Sequence, residues 1–438
     1  MDWKYLRGRI SNLRNVDDAT RTQWASIWEA AFEYFISITM SGAFFTLLVK
    51  QMGVSDALTG ILSSISVLAC GVQMFATSIL RNRRSIRKSV LVLQTMQQLL
   101  YSFLYLLPFV PIPGIIKVGV FAGVYLAATL LTNLIAPAKI NWFLHFVKPG
   151  NRGIFTAHKE MVSLITGLIY NYVMSLAVDH FDSQGRPEIG LILCSVVIFL
   201  VMLCHVGTLL AAKDAPEILE ESRKTGSLKE SFRTNFSNPA FVKLFIMCCG
   251  WVFFYWICTP YYSVFMLQEV GSSVTYIAVT GIVSSLVRFF ISPSMGKYCD
   301  KYGYTTGVRL GFWIAGAAFG LLTFWRPSNG NVFFMIYQIL MSVAMSALSN
   351  GMSIILLQYI PEKDKVGGLG IYSALSGMLG FVGSLLGGWI LERIQLGGNQ
   401  ILGMNLYGQQ FLSFVAFVGI AGLVIYNKTV IQKMKRLE

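Results

Sequence analysis

The sequence predicts an all-α polytopic membrane protein with twelve transmembrane helices grouped into two pseudo-symmetric six-helix bundles. Three observations predict this fold: the chain is apolar along its length, its basic residues fall in alternate loops, and its second half weakly repeats the first. Of the 438 residues, 55% are hydrophobic and only 13% are charged, whereas soluble domains carry about 25% charged residues. A surface so poor in charge suits contact with lipid.

Twelve apolar runs are long enough to cross the hydrocarbon core of a bilayer, which takes roughly 20 helical residues. In chain order they cover residues 24–49, 55–80, 88–110, 114–143, 156–178, 188–212, 240–267, 274–295, 306–325, 331–357, 367–392 and 406–427. The first 23 residues are polar, and the first run is long enough to stay in the bilayer, so no cleavable signal peptide is expected.

The basic residues predict the orientation of these runs. If the amino terminus is cytoplasmic and the loops alternate, 28 of the 35 lysines and arginines fall on the cytoplasmic side and five on the other. This is the bias of the positive-inside rule. It predicts a multi-pass protein of the cell (plasma or inner) membrane with both termini in the cytoplasm, and it explains the net charge of +14 without a nucleic-acid partner.

The two halves of the chain contain related segments. Residues 59–64 read TGILSS, and residues 280–285 read TGIVSS, an offset close to half the chain. We therefore expect an N-terminal bundle over residues 1–212 with a cytoplasmic N-terminal segment, a cytoplasmic linker over 213–238, and a C-terminal bundle over 239–438 with a basic tail. Parallel repeats of this kind place a solute site near the midplane, between the halves.

The loop after the eighth run carries a recognisable signature. Residues 296–303 read GKYCDKYG, which matches the cytoplasmic loop motif G-x-x-x-D-(R/K)-x-G of the major facilitator superfamily. The chain resembles a transporter of that family across essentially its whole length. The resemblance implies alternating access, and it implies a cytoplasmic gate formed by Gly296, Asp300, Lys301 and Gly303, with Arg152 as a partner for Asp300.

The first-half copy of this loop departs from the motif. Aligned on Arg87 and Lys88, the acid position is occupied by Arg83, and isoleucines stand at the glycine positions. The basic residues Arg84, Arg87 and Lys88 remain. They are interpreted either as part of the gate or as charges that set the topology and contact lipid headgroups.

Four charged residues fall at membrane depth: Glu29, Glu33, Lys139 and Arg288. Each costs about 2.5 kcal/mol or more on insertion scales, so each is a candidate functional residue. Glu29 and Glu33 share a helix face because they are four residues apart. We predict a partly paired network facing a central cavity, in which Glu33 and Glu29 bind the coupling proton. Arg288 either binds an anionic solute or neutralises Glu33. The structural alternatives are a static ion pair and a Glu29 side chain that reaches the lipid headgroups.

Amide and aromatic side chains near the predicted midplane are candidate substrate contacts. Amides can bridge hydroxyl groups, and aromatic rings can stack on the C–H faces of a sugar; for each residue, ordinary helix packing is the alternative. The candidates are Gln97, Gln98, Asn133, Asn171, Tyr255, Trp256, Tyr261, Tyr262 and Gln338.

Glycines recur through the eleventh run at Gly377, Gly380, Gly383 and Gly387. Small residues at this spacing let helix backbones approach closely. We interpret them as packing surfaces rather than ligands, and we expect Pro260 to kink the seventh run near the cavity.

Secondary transport fits the sequence better than enzymatic activity or ATP-driven pumping. The chain lacks a G-x-x-x-x-G-K-(S/T) phosphate loop, and no cofactor or metal site is expected from the spacing of its four histidines. We predict a monomeric, proton-coupled symporter of a sugar, glycoside or similar nutrient, whose partners are this solute, a proton or another coupling ion, and the bilayer. The alternative is proton-coupled efflux of drugs or lipophilic compounds; a non-transporting receptor is less favoured.

Overall fold

A computed structural model describes residues 17–75, 85–148, 151–215, 228–360, 365–401 and 404–434. Eleven helices in these ranges are long and apolar enough to cross a membrane, and two further helices, bent by 44° at a short break, together form another crossing. Counting that bent pair as one span gives twelve. The all-α polytopic fold predicted from the sequence is therefore confirmed.

The spans of the first half follow each other in simple order. Span 1 is the bent pair Asp18–Thr39 and Gly42–Lys50, and span 2 is the α-helix Asp56–Leu68 continued by the 3-10 helix Ala69–Phe75. Spans 3 to 6 are Ile86–Leu106, Gly114–His145, Arg152–Ser183 and Pro187–Ala211.

The second half begins with a short helix, Leu228–Phe236, inside the predicted linker. Span 7 consists of Pro239–Trp256, the 3-10 turn Thr259–Tyr261 and Tyr262–Gln268. Spans 8 to 12 are Val274–Tyr302, Tyr304–Leu322, Gly330–Tyr359, Lys365–Leu396 and Gly408–Tyr426, and a two-stranded hairpin, Gln400–Ile401 with Met404–Asn405, lies between spans 11 and 12.

Two spans are broken where the sequence shows uninterrupted apolar runs. Span 1 breaks before Gly42, whose φ of +56° is a conformation that side-chain-bearing residues rarely adopt. Span 7 breaks at the turn that contains Pro260, which has no amide hydrogen to donate to the helix. The kink expected at Pro260 is thus present as a full interruption.

Two of the contacts between the halves are especially close. Spans 2 and 11 lie so close that a Cβ added to Gly377 would be 2.4 Å from the carbonyl oxygen of Val67. Spans 5 and 8 meet where the carboxylate of Asp179 accepts hydrogen bonds from the backbone amides of Val274 (2.9 Å) and Thr275 (2.7 Å). Span 1 begins and span 12 ends at one face of the bundle, which we call the terminal face. The contact between spans 5 and 8 lies at the opposite face.

Candidate transport site

A buried ion network lies inside the first half of the protein. The ammonium of Lys139 in span 4 donates to Glu29 Oε1 (2.8 Å) and to Glu33 Oε2 (2.5 Å), both in span 1. Gln94 in span 3 donates to the second oxygen of Glu33 at 3.1 Å. One lysine is therefore shared by two carboxylates that a single helix face brings together.

The network continues to spans 5 and 6. His205 Nε2 lies 3.3 Å from Glu29 Oε1, and Gln98 Nε2 lies 2.8 Å from His205 Nδ1. With the Gln98 amide placed in this way, its nitrogen donates to Nδ1, and the matching tautomer of His205 donates from Nε2 to Glu29. Lys159 Nζ is 3.9 Å from the other oxygen of Glu29. We use the name ion network for a set of seven residues: Glu29, Glu33, Lys139, Lys159, His205, Gln94 and Gln98.

The two acids of the network differ in accessibility. The side chain of Glu29 is fully buried, whereas that of Glu33 is 30% exposed. This burial excludes the alternative in which Glu29 reaches the lipid headgroups. Glu33 lines two adjoining cavities of about 450 Å³ and 890 Å³. It is therefore the member of the network that water and solute can reach from either cavity.

The smaller cavity, which we call the aromatic cavity, lies between the two halves. Its wall combines rings from both halves with hydroxyl groups and one amide. The residues are Tyr101, Tyr125, Tyr255, Trp256 and Phe45, with Ser37, Ser41, Thr46, Ser63, Ser66, Thr129, Thr132, Thr259 and Ser263, and Gln97. Such a wall offers stacking surfaces and many hydrogen-bonding groups to a solute with several hydroxyl groups.

The larger cavity, which we call the charged cavity, opens between spans 1, 5 and 8 on the terminal-face side of Glu33. Its polar lining consists of Glu33, Tyr34, Ser37, Lys159, Glu160, Ser163, Ser285, Arg288 and Ser292. Arg288 and Glu160 are exposed in it. The halves are thus separated at this side and joined at the opposite side by Asp179.

Three of the predicted substrate contacts, Gln97, Tyr255 and Trp256, line the aromatic cavity. The other six lie outside both cavities. Tyr261 is buried and donates to the carbonyl of Ser384 (2.5 Å), and the hydroxyl of Tyr262 bonds that of Ser413 (2.7 Å). The break in span 7 changes the direction in which the residues at and after the turn face. Tyr261 and Tyr262 therefore pack against neighbouring helices instead of lining the cavity.

The remaining amides also have structural surroundings. Gln98 contacts His205, as described above, and Asn133 accepts from Gln73 at 2.7 Å. Asn171 and Gln338 are half-buried in spans 5 and 10, away from the cavity walls. The position of a residue along its span does not determine which side of the helix faces the cavity, and these four amides face elsewhere.

Arg288 lines the charged cavity but is not paired with Glu33. Its guanidinium donates to the hydroxyl of Ser349 at 2.9 Å. Both oxygens of Glu33 are bonded by Lys139 and Gln94 instead. Of the two roles that the sequence leaves open for Arg288, neutralising Glu33 is therefore not the one seen in this conformation.

In this open arrangement, none of the described ion pairs joins Asp300 to Arg152, the two charged partners of the predicted gate. Asp300 accepts from the hydroxyl of Tyr304 (2.8 Å), and the guanidinium of Arg152 donates to the carbonyl of Val147 (3.5 Å). Lys301 lies over the ring of Tyr302, and Gly303 has a φ of +90° between spans 8 and 9. Gly296 is exposed.

At the altered loop of the first half, an acid that follows span 6 contacts the start of span 3. Asp214, just after span 6, bonds the hydroxyl of Ser85 and accepts from the amide of Arg87 at 3.0 Å, so it caps the start of span 3. The guanidinium of Arg87 donates to the carbonyl of Ala212 (3.3 Å), and Lys88 is exposed. Arg84 lies outside the described residues.

Sequence reasoning missed Gln94 and Lys159 of the ion network, and it also missed His205. The sequence places it among the histidines near span ends, and its span has no other charged side chain at that level. The available signal was the pair Gln94 and Gln98 in span 3, which share a helix face as Glu29 and Glu33 do.

Twelve spans in two groups, with polar cavities at their interface, are an architecture that suits a solute transporter. The sequence profile of the Major Facilitator Superfamily matches residues 27–304 and 252–431. The chain belongs to the Major Facilitator Superfamily.

Solved structures of transporters share its fold. A mutant form of the nucleoside transporter NupG has a TM-score of 0.69 at 12% identity, covering 94% of this chain and 99% of that one. A D-xylose–proton symporter has a TM-score of 0.67 at 14% identity, with 93% and 97% covered. An inward-facing, unoccupied bacterial homologue of the human lysosomal transporter Spinster has a TM-score of 0.69 at 14% identity, with 96% and 99% covered. Comparison with curated protein sequences gave no match.

Proposed function

We propose that this protein takes up a small polyhydroxylated organic solute, such as a sugar or glycoside, across the plasma membrane by alternating access, driven by protons that bind Glu33. Both termini lie in the cytoplasm in this proposal, so the charged cavity opens inward. One observation carries it: Glu33 lines both cavities while its carboxylate is bonded to the buried ion network.

Protonation of Glu33 changes the forces inside the first half. While Glu33 is ionised, Lys139 is held between two carboxylates. When Glu33 takes a proton from a cavity, it loses its charge, and Lys139 stays with Glu29 alone. Charge interactions are stronger in such a water-poor interior than in bulk water. Binding of the proton therefore changes the relative free energies of the inward-facing and outward-facing conformations, as any ligand that drives transport must.

Glu29 has a different role in the proposal. It is fully buried and contacts Lys139 and His205 rather than a cavity. It holds the lysine in place, so that the charge of Lys139 remains compensated when Glu33 is protonated. Glu33 binds the coupling proton, and Glu29 positions its partner.

The wall of the aromatic cavity supports the choice of solute. Tyr255 and Trp256 from span 7 line this cavity together with Tyr101 and Gln97 from span 3, so both halves contribute to its wall. Rings of this kind stack on the C–H faces of a sugar ring while amides and hydroxyls bond its hydroxyl groups. The cavity volume of about 450 Å³ is within the range of small-molecule sites.

The test compares Glu33→Gln with Glu29→Gln in proteoliposomes. Both variants replace a glutamate with a glutamine on the same face of span 1. Glu33 lines the cavities, whereas Glu29 does not. Glu33→Gln is expected to abolish accumulation driven by a pH gradient while it preserves exchange of solute between the two sides. Glu29→Gln is expected to reduce but not abolish pH-driven accumulation, because Glu33 still binds the proton while Lys139 loses its fixed counter-charge. Normal accumulation by Glu33→Gln would reject proton coupling through this residue.

The solute class is tested separately by counterflow of radiolabelled sugars and glycosides. Substitution of Trp256 by Ala should reduce counterflow, because it removes a stacking surface from the cavity. Protection of cells against lipophilic dyes, without any sugar or glycoside counterflow, would reject nutrient uptake in favour of efflux.

A further inference from the structure

The two halves of the protein differ in the balance of their buried charges. In the first half, two acids (Glu29 and Glu33) face two bases (Lys139 and Lys159) within the ion network. In the second half, Arg288 is the charged side chain nearest the middle of its membrane spans, and the others lie near span ends. The charged cavity between the halves also contains Glu160 of span 5, so Arg288 and Glu160 are its two charged residues outside the ion network.

The contacts of Arg288 leave most of its hydrogen-bonding capacity free for a ligand. Its described bond goes to the neutral hydroxyl of Ser349. Among the described residues, no carboxylate oxygen lies within 4.0 Å of its guanidinium. A guanidinium has five N–H donors in a planar fork, which matches a carboxylate or a phosphate.

This charge becomes costly when the charged cavity closes. In the present open arrangement Arg288 is exposed to the cavity. Alternating access requires that spans 5 and 8 approach each other, which removes water from the guanidinium. An unpaired charge in a dry interior is strongly destabilising. A neutral solute leaves that cost in place unless Glu160 of span 5 pairs with Arg288 on closure, whereas an anionic solute removes it.

We propose that Arg288 is the subsite for an anionic group, a carboxylate or phosphate, on the transported solute. This inference rests on the proposed transport function and narrows the solute to an acidic derivative of a polyhydroxylated compound, such as a sugar acid or sugar phosphate. The charged cavity shares Glu33 and Ser37 with the aromatic cavity. One solute can therefore place its ring in the aromatic cavity and its anionic group beside Arg288.

Lys159 and Glu160 face the same cavity from span 5. Lys159 is held toward Glu29 and adds a second positive charge to the wall. Glu160 is an acid that could approach Arg288 on closure and take the place of an anionic ligand. Any test must separate these two partners of Arg288.

The first measurement reports the charge of the cavity without any knowledge of the solute. Ser285 lines the charged cavity one turn from Arg288, so Ser285→Cys provides a reporter thiol. We would compare its rates of modification by anionic sulfonatoethyl and cationic trimethylammonioethyl methanethiosulfonate. The anionic reagent should be favoured, and Arg288→Gln should lower the anionic-to-cationic rate ratio by roughly tenfold. Arg288→Lys should preserve the ratio. A ratio that is unchanged in Arg288→Gln overturns the proposal.

Ser263→Cys is the matched control, because Ser263 lines the aromatic cavity only. Its rate ratio should not respond to Arg288→Gln. The native cysteines are controlled by the same measurement on the protein without an added cysteine.

The second measurement uses glucose, glucuronate, glucose 6-phosphate and inorganic phosphate as protectants of Ser285→Cys. At least one of the three anions should slow modification more than glucose, and Arg288→Gln should abolish this protection while Glu160→Gln preserves it. Absence of protection by all three anions overturns the proposal, and so does protection that depends on Glu160 rather than Arg288. Neither measurement uses a proton gradient, so a failure of proton coupling through Glu33 is recognised independently.

Discussion

The N-terminal and C-terminal halves contain six spans each, but they are stabilised inside by different interactions. Most of the second half shares one large apolar core, in which Trp325, Phe265 and Tyr262 pack against Phe334 and Tyr337. Only a small cluster around Cys299 is separate from it among the described residues. The first half has two separate apolar cores. On span 1 they are represented by Ala25 and by Ile36, and Glu29 and Glu33 lie between them.

The same separation recurs on spans 3 and 6. Gln94 and Gln98 lie between Val90 of one core and Tyr101 of the other, and His205 lies between Ile198 and Leu209. Apolar packing is insensitive to pH, whereas the strength of an ion network changes with each proton. The difference therefore predicts that the first half responds to protons while the second half acts as a stiff body that carries Arg288.

The largest expected effect comes from removal of the shared lysine. Lys139→Met leaves the fully buried Glu29 without its closest cation, and loss of one partner of a buried pair costs about 3–5 kcal/mol. We expect a corresponding loss of thermal stability, measured on the purified protein in detergent. Arg288→Gln, the matched removal of a positive charge in the second half, should change stability by less than about 0.5 kcal/mol because Arg288 is exposed.

Removal of the acid as well distinguishes lost pairing from lost packing. Lys139→Met combined with Glu29→Gln should recover part of the stability, since the buried charge is gone. If the double variant is as unstable as the single one, packing of the lysine stem explains the loss, and the contrast between the halves no longer rests on charge.

A smaller effect is expected where the second half is packed most tightly. A Cβ at Gly387 in span 11 would lie 2.1 Å from the carbonyl oxygen of Ile257 at the break of span 7. Gly387→Ala must push the two spans apart, and overpacking of this kind costs about 1–3 kcal/mol. Gly281→Ala in span 8 is the control, because its Cβ would meet open space, and alanine favours a helix by up to about 1 kcal/mol.

The two glycine variants should therefore change the melting temperature in opposite directions. Equal shifts in melting temperature would show that spans 7 and 11 can move apart at little cost. This would contradict the rigid second half inferred from its large apolar core.

The sequence predicts the fold far better than the geometry of the site. Apolar runs and alternating loop charge each follow from the bilayer itself, so they are visible without tertiary contacts. The break of span 1 is not visible, because Gly42 lies in an apolar run and its φ of +56° is adopted only in the folded bundle. The start of span 1 at Asp18, ahead of the predicted start at Trp24, likewise reflects helix continuation beyond the apolar run.

Within the site, spacing predicted that Glu29 and Glu33 share a face, and depth predicted that Lys139 lies at their level. Depth alone could not show that Lys139 rather than Arg288 bonds Glu33, because this depends on which helices are neighbours. For the same reason, Tyr261 and Tyr262 were predicted at the cavity but pack against spans 11 and 12.

The smallest expected effect comes from Gln98, which contacts the rest of the ion network through His205. Gln98 donates to Nδ1 of His205, which keeps the Nε2 proton directed at Glu29. Gln98→Met conserves length and apolar volume but removes this donor, and a hydrogen bond of this kind contributes about 1 kcal/mol. Gln338→Met in span 10 makes the same substitution in the second half and should cost less than about 0.5 kcal/mol. Unfolding of both variants in detergent measures the difference, and equal losses would mean that His205 is held by its packing in span 6. A larger loss for Gln98→Met means that the polar layer of the first half is linked from span 3 through His205 to Glu29, so that a proton at Glu33 acts on four spans at once.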